Sequence, residues 1–294
     1  MTTVARIFRR RRAGRRLRAA GRLGLALPLV LGMSGLACAA GRWHGLIEGE
    51  TGTPGGWVQV RENGIQGTQL HMGRIANRWH TLRLGAWRDF GDVNSVHMSL
   101  SVSTIRGGTD LAAPVLFNGT TIAPGRLETI TYYRDFFALR GAYWRRLVDF
   151  GRGGGLWSSV GLAYTGLNFR LNGPIAPTSV GHETKEDFIA QELPVPTLGV
   201  HLRYPLGRRV RLMADATAGR LPRVYSLRHE GGAVTVDQTQ WREQLGLSGR
   251  LSGSWRLRVY WFDRYYRQNE QSREDGNRIK LHSHGYGIGL TADF

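Results

Sequence analysis

Apolar side chains recur at every second position in segment after segment of this chain, the period of a strand with one oily face. Leu198, Val200, Leu202 and Tyr204 alternate with Thr197, Gly199, His201 and Arg203. Past the turn Leu206-Gly207-Arg208, Val210, Leu212, Ala214, Ala216 and Ala218 alternate with Arg209, Arg211, Met213, Asp215 and Thr217. Nearer the start, Val96, Met98, Leu100 and Val102 alternate with Ser95, His97, Ser99, Ser101 and Ser103. Beyond the first forty residues no apolar run approaches the ~18 residues of a helical span. The pattern predicts an all-β chain of about ten strands, roughly 8 to 12. They fall near 55–62, 78–89, 94–106, 126–148, 155–171, 187–204, 208–228, 235–251, 254–270 and 278–294. Short turns at 90–93, 151–154, 206–208 and 252–253 alternate with generally longer connections at 107–125, 172–188 and 271–277. Short on one side and long on the other predicts an antiparallel, up-and-down transmembrane β-barrel. A soluble sandwich would bury the oily faces as a core, but strands of up to about twenty residues exceed its usual length. The connection at 63–77 is expected to act as a partial plug or to pair as part of a strand.

The first forty residues differ in kind. Nine arginines and no acid lie within residues 1–22, followed by the uncharged run Leu23 to Ala40 and the small-residue motif Ala37-Cys38-Ala39. This is the three-part secretory signal, with cleavage expected after Ala39, leaving residues 40–294 as the barrel domain. A membrane anchor would need a longer apolar block, an acylated Cys38 would follow Leu rather than Gly35 at the third position before it, and a mitochondrial presequence would be amphipathic. The chain has 40 Lys and Arg against 22 Asp and Glu, a formal +18. Half of that excess leaves with the leader and the rest is interleaved with oily positions, so nucleic acid is not the expected partner. The lone cysteine lies in the leader, which excludes disulfides, zinc-thiolate sites and a cysteine nucleophile from the mature chain. No metal site and no cofactor are expected.

The closing strand is the most specific signal. Tyr286, Ile288, Leu290, Ala292 and the terminal Phe294 share one parity. This resembles the carboxy-terminal signature by which bacterial outer-membrane β-barrel proteins are recognised by their assembly machinery. The resemblance implies a Gram-negative outer membrane, with that machinery, outer-membrane lipids and lipopolysaccharide as partners. Aromatic placement agrees: Trp157 and Trp255 follow short turns, Tyr143 and Tyr204 precede them, and Tyr133 and Tyr265 lie towards long loops, as interfacial girdles require.

If the oily parity faces lipid, the other lines a lumen. It carries Arg83, Arg134, Arg140, Arg146, Arg203, Arg209, Arg211, Arg242, Arg250, Arg256, Arg258 and Arg264 against only Asp89, Glu128, Asp215 and Asp293. Arginines near short turns are expected at a solvated rim. Arg134, Arg140, Arg242, Arg258 and Arg264, further along their strands, are expected to line an electropositive lumen suited to a phosphate, carboxylate or acidic-sugar solute. On the oily parity sit three misplaced polar residues, Glu243, Asp263 and His284, which the registers 243 with 263 and 263 with 284 would align near the outer leaflet. A carboxylate beside a histidine is half of a hydrolase site, but the adjoining Ser283 points to the other face. The leading expectation is a narrow or plugged anion-favouring pore. The alternative is a non-conducting structural or envelope-assembly barrel binding lipopolysaccharide, polysaccharide or a protein, and a lipid hydrolase comes third.

Overall fold

Residues 41–189, 193–229 and 233–294 are described by a computed structural model of the chain; the expected leader, Cys38 included, lies outside them. The strands are β1 (Trp43–Glu62), β2 (Ile65–Gln66), β3 (Leu70–His71), β4 (Arg78–Phe90), β5 (Asn94–Leu111), β6 (Val115–Phe117), β7 (Thr120–Ile122) and β8 (Gly125–Ile130). They continue with β9 (Phe136–Gly151), β10 (Gly154–Asn172), β11 (Lys185–Ile189), β12 (Val195–Pro205), β13 (Val210–His229), β14 (Ala233–Ser252), β15 (Trp255–Gln271) and β16 (Gly276–Asp293). One helical turn, Met72–Ile75, lies between β3 and β4. Ten of these strands form an antiparallel ring in the order β1, β4, β5, β9, β10, β12, β13, β14, β15, β16, and β16 pairs back onto β1 from His44↔Asp293 to Arg61↔Gly276. Closure leaves the ring no free edge, and β8 and β11 extend the wall beside β10 at the long-loop end.

The inward positions divide by height. Towards the long-loop end Val58, Trp79, Ile105, Phe169, Leu171 and Ile279 form one apolar core inside the ring. Two inserts complete it. The segment after β1 brings Leu70, Met72 and Ile75, and the β6–β7 hairpin brings Phe117 and Ile122. Each insert is pinned by an Asn-Gly turn with both residues in the left-handed region, Asn63 (φ 50°) with Gly64 (φ 77°) and Asn118 (φ 48°) with Gly119 (φ 67°). That pair is the hairpin turn whose twist matches the strands it joins. The connection at 63–77 is therefore a plug, and the loop expected at 107–125 is part of the same plug.

Several strand boundaries differ from those the alternation predicts, β5 among them, which runs on to Leu111. β1 starts at Trp43, not near 55, because the run Gly52-Thr53-Pro54-Gly55-Gly56 is a tight stretch of strand and not a turn. At Gly56 (φ 96°) an added Cβ would meet the Lys280 carbonyl oxygen at 1.9 Å. The segment 126–148 is split into β8 and β9 by a turn closed by Asp135 N–H donating to Tyr132 O at 2.8 Å. Thr131 holds the break in place, its hydroxyl accepting from Ile105 N–H at 2.6 Å. The stretch 187–204 contains β12 only from Val195.

Phe117 is 1% exposed and lies 6.2 Å from the Phe169 ring. Phe117→Ala is expected to cost about 3–5 kcal/mol of unfolding free energy. Denaturant unfolding of the refolded barrel should show the loss, with strand content by circular dichroism unchanged.

Candidate functional site

Below the apolar plug the lumen is polar, and its chemistry starts on β1. Even-numbered positions of β1 face inward, which places Glu48 and Glu50 in the interior with fully buried side chains. Arginines from three other strands converge on them. Arg83 of β4 reaches Glu48 at 3.1 Å and Glu50 at 3.5 Å, and Arg258 of β15 reaches Glu48 at 2.9 Å. Arg264 lies 3.3 Å from Glu50, Arg242 of β14 pairs with the same carboxylate, and the Tyr260 hydroxyl donates to it at 2.9 Å. Tyr260 can lie there because its cross-strand partner is Gly287, where any Cβ would come within 2.3 Å of the Tyr260 ring. The Arg264 guanidinium also lies between Trp79 and Phe262, 4.5 and 4.6 Å from their ring centres. The hydrogen bonds from Arg83, Arg242 and Tyr260 and the close ion pairs of Arg258 and Arg264 offset the hydration that these buried ions lose.

Nearer the short-turn end a second layer crosses the lumen. His44, Trp87, His97, Trp144 and His201 stack ring on ring, with centroid separations of 4.8, 5.5, 3.9 and 3.4 Å and near-parallel planes. Both ends are tied to carboxylates: His44 bridges Asp89 and Asp293 at 2.8 Å each, and His201 Nδ1 pairs with Asp215 at 2.8 Å. Asp215 also takes Arg203 at 2.8 Å. His201 Nε2 meets Ser159 Oγ at 3.0 Å, so Ser159, His201 and Asp215 stand in the order of a serine-hydrolase relay. Trp144 lies flat on that imidazole and Arg203 holds the carboxylate, so here the relay is part of the packed layer.

The residues singled out from sequence divide accordingly. Arg242, Arg258 and Arg264 are in the lumen but bound to Glu48, Glu50 or both layers' carboxylates. Arg140 faces inward on β9, with no ion pair among the described residues. Arg134 is not in the lumen. It sits in the turn that splits the expected strand, 82% exposed, beside Asp135. Glu128 is likewise exposed, on the outer face of β8. The alternation from residue 55 onward does not reach Glu48 and Glu50, which lie in the first half of β1; the inward alternation of His44, Glu48 and Glu50 is the sequence signal for them. Trp157, expected in a girdle, pairs with His201 and faces the lumen.

On the outer wall Glu243 pairs with Asp263 and Asp263 with His284, which makes one row across β14, β15 and β16. Ser283 is fully buried on the opposite face. The same wall carries Tyr286, Ile288, Leu290 and Phe294 of the closing strand, with Tyr286 and Ile288 exposed and Ile288 beside Val259. Elsewhere Leu198 is 69% exposed and Met98 68%. A wall of exposed aliphatic side chains around buried ion pairs is inside-out for water and right for lipid. The fold is that of an outer-membrane β-barrel.

No family model and no curated protein matches the chain. Among solved structures the barrel is similar to the outer membrane protease OmpT from Escherichia coli, at 12% identity over 85% of this chain and 97% of that one, with a TM-score of 0.47. It is also similar to the translocator domain of the autotransporter NalP from Neisseria meningitidis, at 15% identity over 92% and 95%, with a TM-score of 0.37. A third is the toluene transporter TodX from Pseudomonas putida, at 9% identity over 87% and 90%, with a TM-score of 0.30.

Removing Glu50 leaves Arg242 and Arg264 short of their buried partner. Glu50→Gln is expected to destabilise the barrel by about 3–5 kcal/mol, and Tyr260→Phe by about 1.5–3 kcal/mol through the lost hydrogen bond to a charged group. Urea unfolding of the two variants beside the rim variant Asp149→Asn, which should change little, checks the order.

Proposed function

We propose that this chain is an outer-membrane barrel with a resting lumen that does not conduct, acting through its outer wall and long loops as a structural or envelope-assembly element. Export by the leader and insertion through the Tyr286 to Phe294 strand by the barrel assembly machinery deliver it, with the long loops outside the cell and the short turns in the periplasm. Its partners on this reading are lipopolysaccharide, polysaccharide or a neighbouring protein. The observation that carries the proposal is the pairing of Glu48 and Glu50 with the lumenal arginines, beneath an apolar plug and above a stack of rings.

One observation favours a second reading, the narrow anion-favouring pore. Arg83, Arg140, Arg203, Arg242, Arg258 and Arg264 outnumber Glu48, Glu50 and Asp215 in the interior, and Arg242 Nε, Arg264 Nε, Gln240 Nε2 and Gln244 Nε2 have no acceptor among the described residues. Donors in such excess suit water or a small anion.

Current through the purified protein in a planar bilayer under a salt gradient separates the two. Silence from barrels shown to be inserted is expected. Discrete steps with an anion-selective reversal potential would overturn the closed-lumen reading in favour of the pore.

A further inference from the structure

The outer wall of β13 to β16 has an order of its own. Because β13 keeps unbroken register with β14 from Val210 to Leu221, and β14, β15 and β16 keep it at the same level, their outward side chains form rows there. Trp241 and Tyr265 are cross-strand partners with rings 5.9 Å apart and 11° from parallel, and His282 continues their row on β16. One step towards the long loops, Arg220, Thr239, Arg267 and Lys280 are successive partners, and Arg278 lies one step further. All four of these basic side chains are exposed, and Lys280 Nζ sits 5.9 Å from the Tyr265 ring centre. Asp237, the acid level with Arg278, accepts from Asn269 at 3.0 Å. An aromatic row with a cationic row directly above it is what the boundary between acyl chains and phosphorylated head groups selects.

Below Arg220 the wall is cut away. Ala216 and Ala218 of β13 pair with Val200 and Leu198 on one side and with Glu243 and Trp241 on the other. Two small side chains between four large ones leave a groove of about 280 Å³, lined by those six residues with Gly199 and Thr217. Its lining is mostly the apolar and aromatic groups that suit a hydrocarbon chain, with Glu243 level with Ala216, the end further from Arg220.

We propose that this face binds a phosphorylated, acylated glycolipid of the outer leaflet, with one acyl chain in the Ala216–Ala218 groove and a phosphate on Arg220, Arg267 and Lys280. Guanidinium groups hold phosphate bidentately, and Lys280 adds a point charge. Glu243 and its cross-strand partner Asp263 lie one row below the aromatics, on the acyl side of that boundary. This rests on the proposed outer-membrane placement and on the outer wall as the working surface, and is independent of whether the lumen conducts.

The test is native mass spectrometry of the intact barrel in neutral detergent, titrated with diphosphorylated hexa-acyl lipid A, its dephosphorylated form, or inorganic phosphate. The expected result is one lipid A per barrel, with the dephosphorylated form weaker by on the order of tenfold or more. Arg267→Gln with Lys280→Gln should weaken lipid A to a similar extent. Ala218→Trp, which fills the groove, should weaken lipid A while leaving the preference for its phosphorylated form. Heat-modifiability on gels verifies each barrel, and the pair Arg220→Gln with Arg278→Gln replaces any variant that does not fold. Unchanged affinity in the charge variant overturns the proposal, as does displacement of lipid A by an equimolar amount of inorganic phosphate, which would mark a free-phosphate site. A barrel that binds lipid A yet conducts overturns only the closed lumen; one that is silent and does not distinguish the two lipid forms overturns only this site.

Discussion

A guanidinium carried from water into a closed barrel loses hydration worth several kcal/mol, and recovers it only from well-placed acceptors. A ten-strand ring is little wider than the kind side chains fill, so every lumenal arginine here has had to find a partner or keep water. Glu48 and Glu50 are the partners of Arg83, Arg242, Arg258 and Arg264. Both come from the first strand, and their ligands come from β4, β14 and β15, so one short acidic segment ties the start of the chain to its last third. The layer depends on ring closure: β1 must pair with β16 for Glu50 to reach Tyr260 across β16 and Arg242 beyond it.

The other two layers follow from that one. An apolar plug on the long-loop side keeps water from the ion pairs, which strengthens them, and is itself assembled from inserts that leave and re-enter the ring through Asn-Gly turns. The ring stack on the other side is tied by His201 and Asp215 to Arg258, which is shared with Glu48. Interior polarity and exterior oiliness are thus one pattern seen from two sides of the same strands.

Much of this was legible in the sequence where the period of two ran unbroken. The number of ring strands, the closing strand ending at Phe294, and the registers that bring Glu243, Asp263 and His284 into one row all follow from alternation and from short turns that fix where pairing starts. Reading failed where local chemistry imitates a turn or hides one. The glycines around Pro54 concealed half of β1, and with it both acids of the central layer. Tyr132 to Asp135 carries no glycine or proline, so the turn that takes Arg134 out of the barrel wall was invisible. The Ser159, His201 and Asp215 arrangement depends on neighbours from three strands, which parity alone does not pair.

Charge matching in the lumen is measured by a double-mutant cycle on Glu48 and Arg258, replacing each by Gln alone and together and measuring unfolding free energies in the same lipid or detergent. If the lumen is held by matched charge, the two losses should be strongly non-additive, with a coupling of about 1–3 kcal/mol. Additivity to within about 0.5 kcal/mol would mean that the two groups are separately solvated, and would contradict a filled interior.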